Sequence, residues 1–93
     1  MSDVAKRFGE NLTRYRAKTS FSQEELATRA EVHRTQVWAL LHGKQIPRLD
    51  TLVKLAGALE IPPAYLLEGI TWKPAFRTGE FKVSASDQET REK

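Results

Sequence analysis

Apolar residues recur along the chain at helical spacing, and the pattern changes character near residue 69. Val4, Phe8, Leu12 and Tyr15 fall every three or four residues, which places them on one side of a first helix ending near Thr19–Ser20. A second helix begins in "FSQEELATRA". Ser22 is placed to cap it, Glu25 to reach back to the cap, and Phe21 to pack on Leu26. Leu26, Ala27 and Ala30 form its inward side, and the small alanines let a neighbouring helix come close. Only Glu31 and Val32 separate it from a third helix, "HRTQVWALLHG", so the two meet at a sharp corner. Val37, Leu40 and Leu41 face inward there, Val32 can staple onto Val37, Gln36 stands where an amide closes a second capping box, and Gly43 supplies the left-handed end.

"KQIPR" reads as a loop, with Ile46 held extended by Pro47. A fourth helix through "LDTLVKLAGALE" turns Leu49, Leu52, Leu55, Ala56 and Leu59 inward. Pro62 and Pro63 stop it and open a short fifth, "PAYLLEG". Beyond Gly69, "ITWKPAF" and "EFKVS" flank "RTG" as two extended segments around a turn, and Phe81 and Val83 alternate with Lys82 as in a half-buried strand. "SASDQETREK" has almost nothing to bury and is expected to be disordered. The expected organisation is an all-α bundle over 1–69, an extension over 70–84 that packs or dimerises, possessing a hairpin or a single strand, and a disordered tail over 85–93.

Composition narrows the class. A chain of 93 residues supports one small domain, and with no cysteine its core rests on packing without disulfides or thiolate zinc. No apolar run reads as a signal peptide or approaches the roughly 20 residues of a membrane span, so a soluble cytoplasmic protein, associated with the nucleoid, is expected. The net charge of +3 is unevenly spread. Residues 1–20 and 33–48 each carry +3, while 21–32 and 49–70 each carry −2. Positive charge therefore gathers on the first and third helices, as a polyanion partner requires.

The third helix has a polar leading turn, His33, Arg34, Thr35 and Gln36, ahead of an apolar back. A capped helix, a very short turn and a second helix of this kind make a helix-turn-helix, in which the second helix enters the major groove and its first residues meet base edges. Arg34 suits guanine or phosphate, Thr35 and Gln36 suit base edges, and Ala39 is small enough to sit against a thymine methyl. Trp38 lies beside the apolar face and is expected to be partly buried, with an indole–phosphate hydrogen bond as the alternative. His33 reads as an imperfect cap. It stands nine residues from His42 without further ligands, so neither a metal nor any cofactor is expected.

From about residue 8 to residue 69 the chain resembles the Cro/C1-type (XRE-like) helix-turn-helix family, through "SQEELA", "V...QV..LLHGK" and "P...TL.KLAGALEIP..YLLEG". The resemblance implies a compact five-helix domain that binds double-stranded operator DNA as a two-fold homodimer. By position it implies base reading by Arg34, Thr35, Gln36 and Ala39, with Gln23 on a phosphate. It also implies backbone contacts from His42, Lys44 and Gln45, and Arg48 at a phosphate or in the minor groove. Tyr65, Leu66 and Leu67 read as core, and by position they also match a region that forms the dimer contact in many relatives. Three departures stand out. Glu31 and His33 replace a glycine in the turn and a serine or threonine cap, and Leu41 replaces a glutamate that would pair with Arg16.

The expected function is a sequence-specific transcriptional regulator, a repressor. The rival is an antitoxin-like or adaptor protein that holds a protein partner such as a toxin. Trp72, Phe76 and Phe81 motivate the rival, because they are more aromatic surface than a spacer needs, although they also suit contact with a second copy. No nucleophile–base pair or glycine-rich phosphate loop is present, and no enzyme activity is expected.

Overall fold

The computed structural model describes residues 3–74 and 79–83. The chain forms α1 (Asp3–Ala17), α2 (Gln23–Ala30), α3 (Arg34–Leu41), α4 (Leu49–Leu59), a short 3-10 helix η1 (Pro63–Leu67), and strands β1 (Ile70–Lys73) and β2 (Glu80–Val83). The fifth helix is thus a 3-10 turn, and the extension is an antiparallel hairpin pairing Ile70 with Val83 and Trp72 with Phe81. Phe76 and the 85–93 tail lie outside the described residues. No helix among the described residues is long and apolar enough to cross a membrane.

One core holds the helices together. Phe8 and Leu12 of α1, Leu26, Ala27 and Ala30 of α2, Val37 and Leu40 of α3, and Leu52, Leu55, Ala56 and Leu59 of α4 meet Leu66 of η1. Each fully buried leucine contributes roughly 1.5–3 kcal/mol relative to exposure. Tyr15, Phe21, Val32, Leu41 and Ile70 pack around this centre. Leu49 departs from the expected pattern. It is 76% exposed at the very start of α4, and the buried cluster on that helix begins only at Leu52.

Helix ends follow the sequence with local changes. The Glu25 amide donates to Ser22 Oγ at 3.0 Å, but the Glu25 carboxylate turns to Arg29 at 3.1 Å instead of closing the box. Three helices end in the same paired hydrogen bonds. Val32 N–H donates to Ala27 O, Lys44 N–H to Ala39 O, and Ile61 N–H to Ala56 O, each across a left-handed residue. Gly43 takes that conformation without strain at φ 70°, whereas Glu31 and Glu60 hold it at φ 57° and 59°.

The basic charge of α1 is largely engaged within the fold. Arg7 Nε donates to the Glu68 carbonyl at 3.1 Å, Arg14 pairs with the Glu68 carboxylate at 2.6 Å, and Arg16 donates to the Phe21 carbonyl at 2.9 Å. The side chain that Arg16 would otherwise offer to a glutamate at position 41 therefore braces the α1–α2 turn. Positive charge on α1 is consequently a weaker marker of a polyanion surface than its sequence density implies.

Candidate nucleic-acid interface

The exposed side of α3 is set by its own buried back. Val37 and Leu40 of α3 are fully buried, and Leu41 packs at the edge of the core. With that side fixed, the helical repeat turns Arg34, Thr35 and Trp38 to solvent, with Gln36 and Ala39 partly covered. The close fit of α1 on α3 comes from Gly9, where an added Cβ would lie 2.7 Å from the Leu40 carbonyl oxygen.

His33 occupies the N-cap. Its Nδ1 accepts from the Thr35 amide at 3.3 Å and from the Thr35 hydroxyl at 2.9 Å. An accepting Nδ1 leaves the ring proton on Nε2, so the cap presents an exposed N–H donor. Thr35 is held by this contact, which orients its side chain before any ligand arrives. Gln36 does not close the second capping box, and among the described residues its amide has no hydrogen-bond partner, so its donor and acceptor remain available.

Arg34 approaches Glu24 only to 3.9 Å, with both side chains about 70% exposed (70% and 72%). A pair that loose and wet contributes little and is easily exchanged for another anion. Arg34, Thr35 and Trp38 border a cleft with Gln23 and Glu24 of α2. The Gln23 Oε1 is buried there without a hydrogen-bond partner among the described residues. Rotating the amide by half a turn would direct its donor into the same space.

Trp38 is 46% exposed, and its ring stacks on His42 at 4.2 Å. His42 Nδ1–H donates to the Trp38 carbonyl at 2.8 Å, so the imidazole is fixed as well. Their spacing of four residues, one helical turn, is the sequence signal of this stack. Lys44 and Gln45 project from the loop after Gly43, both exposed, and Arg48 reaches Asp50 at 3.4 Å on the surface. Gln23, His33, Arg34, Thr35, Gln36, Ala39, His42 and Lys44 thus come from the helix-turn-helix and its flanks, and Gln45 and Arg48 follow in the next loop.

The second group of expected residues is divided. Leu66 is fully buried and supports the core from beneath, so it offers no outward contact. Tyr65 and Leu67 are 44% and 42% exposed, with the Tyr65 ring 5.7 Å from Tyr15. Trp72 and Phe81 meet edge to face at 5.0 Å on the apolar side of the hairpin. Among the described residues no group of His, Asp and Glu is arranged to hold a metal.

Comparison with known proteins identifies the family of this fold. A helix-turn-helix family model matches residues 12–66, from the middle of α1 to η1. The control protein C.BamHI from Bacillus amyloliquefaciens is 34% identical over 65 residues, 69% of this chain and 80% of that protein. The crystal structure of the restriction-modification controller protein C.AhdI from Aeromonas hydrophila aligns with a TM-score of 0.65 at 34% identity, covering 67% of this chain and 94% of that one. The SOS-response transcriptional repressor LexA from Eubacterium rectale aligns with a TM-score of 0.67 at 30% identity, over 72% of this chain and 71% of that one. The chain belongs to the Cro/C1-type helix-turn-helix family and is a DNA-binding transcriptional regulator.

Proposed function

We propose that this regulator is a repressor that reads the major groove of a specific site with the start of α3, two copies binding an inverted repeat. The observation that carries the reading is the contrast within one helix: Val37 and Leu40 fully buried, Arg34 and Thr35 wholly at the surface. Arg34 is the candidate for a bidentate guanine contact, Thr35 and Gln36 for neighbouring base edges, and Ala39 for a thymine methyl. Gln23 and His33 supply donors to phosphates, His42 lies on the same flank beside Trp38, and Lys44, Gln45 and Arg48 extend the backbone contact along the loop. Two copies set their reading helices about 34 Å apart, one helical turn of the duplex.

Two relatives at 34% identity are described as control or controller proteins, and this supports control of a restriction-modification operon as the narrower role. Selection of bound sequences from a random DNA pool tests the whole reading. The expected result is a single motif with two-fold symmetry. Enrichment of no motif, or of one half-site only, counts against it.

A further inference from the structure

The outward side of α4 carries apolar residues that the chain's own core does not use. Leu49 is 76% exposed and Val53 49% exposed, and one further turn along the same row stands Gly57. A Cβ added at Gly57 would meet nothing within 4 Å, so no contact inside the chain requires a glycine there. Glycine nevertheless weakens a helix interior relative to alanine. Leu49 and Gly57 each lie four residues from Val53, a projection on one side and a gap on the other.

We infer that α4 forms a self-complementary seam for a second copy of this chain, running antiparallel with Val53 on the two-fold axis. That arrangement sets Leu49 of each copy over Gly57 of the other, so the missing side chain becomes the hole that receives the projecting one. An isologous contact needs such a pattern, in which every feature has its complement at the same distance across the axis. A different protein as partner would leave the pairing of Leu49 with Gly57 about Val53 without a reason. Trp38, Tyr65, Trp72 and Phe81, the exposed large rings among the described residues, already have ring partners within the chain.

The inference rests on the proposal that the regulator works as a dimer, and cysteine cross-linking separates the two. The sequence contains no cysteine, so Val53→Cys introduces the one thiol. Under mild oxidation it should give a disulfide-linked dimer much faster than Lys54→Cys, which is exposed on the adjoining row and reports random collision. In sedimentation equilibrium, Leu49→Asp should weaken the dimer about 100-fold, because both copies lose the contact. Its thermal melting should be unchanged at concentrations where wild type is also monomeric, since dimerisation itself raises the melting temperature by mass action, and Leu49→Ser provides a gentler version. A wild-type dimer in which Val53→Cys links no faster than Lys54→Cys, with Leu49→Asp and Leu49→Ser still dimeric, would place the interface elsewhere while leaving the dimer intact. A chain that stays monomeric at every concentration, free and on its selected DNA, would overturn both.

Discussion

The side-chain amide of Asn11 donates to the Leu66 carbonyl at 2.9 Å, tying α1 to a residue 55 positions later. It also reaches the Glu68 carbonyl at 2.9 Å, and Arg14 donates to its Oδ1 at 3.3 Å. Asn11 is fully buried, so these contacts answer its polar groups where water cannot. They also close the end of η1, whose carbonyls have no helical continuation.

Replacing Asn11 with leucine keeps the number and branching of heavy atoms but strands the Leu66 carbonyl without its donor. The expected cost is about 2 kcal/mol, the penalty for an unsatisfied buried group. Urea denaturation measures it, and a change below about 0.5 kcal/mol would show that η1 finds another partner.

Gly9 controls how closely α1 lies on α3. Alanine there would place its Cβ 2.7 Å and 2.8 Å from the carbonyl oxygens of Leu40 and Leu41, both backbone atoms at the end of α3. Neither can swing aside as a side chain does. Gly9→Ala should therefore lose about 1–3 kcal/mol despite alanine's better helix propensity. A thermal melt equal to wild type would contradict the tight fit.

Glu31 and Glu60 hold left-handed backbone, a conformation that costs a non-glycine residue roughly 1–2 kcal/mol. Part of that gain is offset by glycine's larger freedom in the unfolded chain. Glu31→Gly and Glu60→Gly should each stabilise the fold by about 0.5–1 kcal/mol. Glu31→Ala should not, and equal effects from alanine and glycine would attribute any gain to charge removal.

The helices, their order and the exposed side of α3 were legible because each left a periodic or capping signal of its own. What escaped was decided between elements. Leu49 fits the inward repeat of α4, but it stands at the very start of the helix, and the buried cluster on that helix begins only at Leu52. Glu25 has the spacing of a capping box and also that of a pair with Arg29, and the ion pair wins. Asn11 reads as an ordinary polar helix residue until η1 brings two carbonyls to it. Gly9 reads as a weak point in α1, and only the approach of α3 explains it. The basic residues of α1 counted toward a DNA surface, yet Glu68 alone engages Arg14 and, through its carbonyl, Arg7.

Tyr15 links stability to alkaline pH. Burial first, and then the hydrogen bond its hydroxyl donates to Glu68 at 2.9 Å, raise its pKa above the ordinary value of 10.0. The fold thus favours the neutral phenol. This contribution is complete below about pH 10 and is lost as pH rises through the folded-state value. Urea midpoints of wild type and Tyr15→Phe should converge as pH is raised from 9 towards 11, about the range in which a tyrosine titrates. A difference independent of pH would show that the phenol does not sense the fold.

Contacts that read sequence and contacts that only hold the backbone separate under substitution. Arg34 has only a loose pairing at 3.9 Å to give up, so Arg34→Ala should leave folding unchanged. On the selected site it should cost about 1–3 kcal/mol, with little loss on random DNA. Gln36→Ala should behave alike at the adjoining base pair. Lys44, exposed in the loop after α3, should instead act through phosphate. Lys44→Ala should weaken all sequences together and reduce the slope of log affinity against log salt by about 0.9 per protomer. Fluorescence anisotropy on cognate and scrambled duplexes over a range of salt measures both quantities. Equal losses on the two duplexes for Arg34→Ala would move that residue from the bases to the backbone, and with it the part of the site that distinguishes one sequence from another.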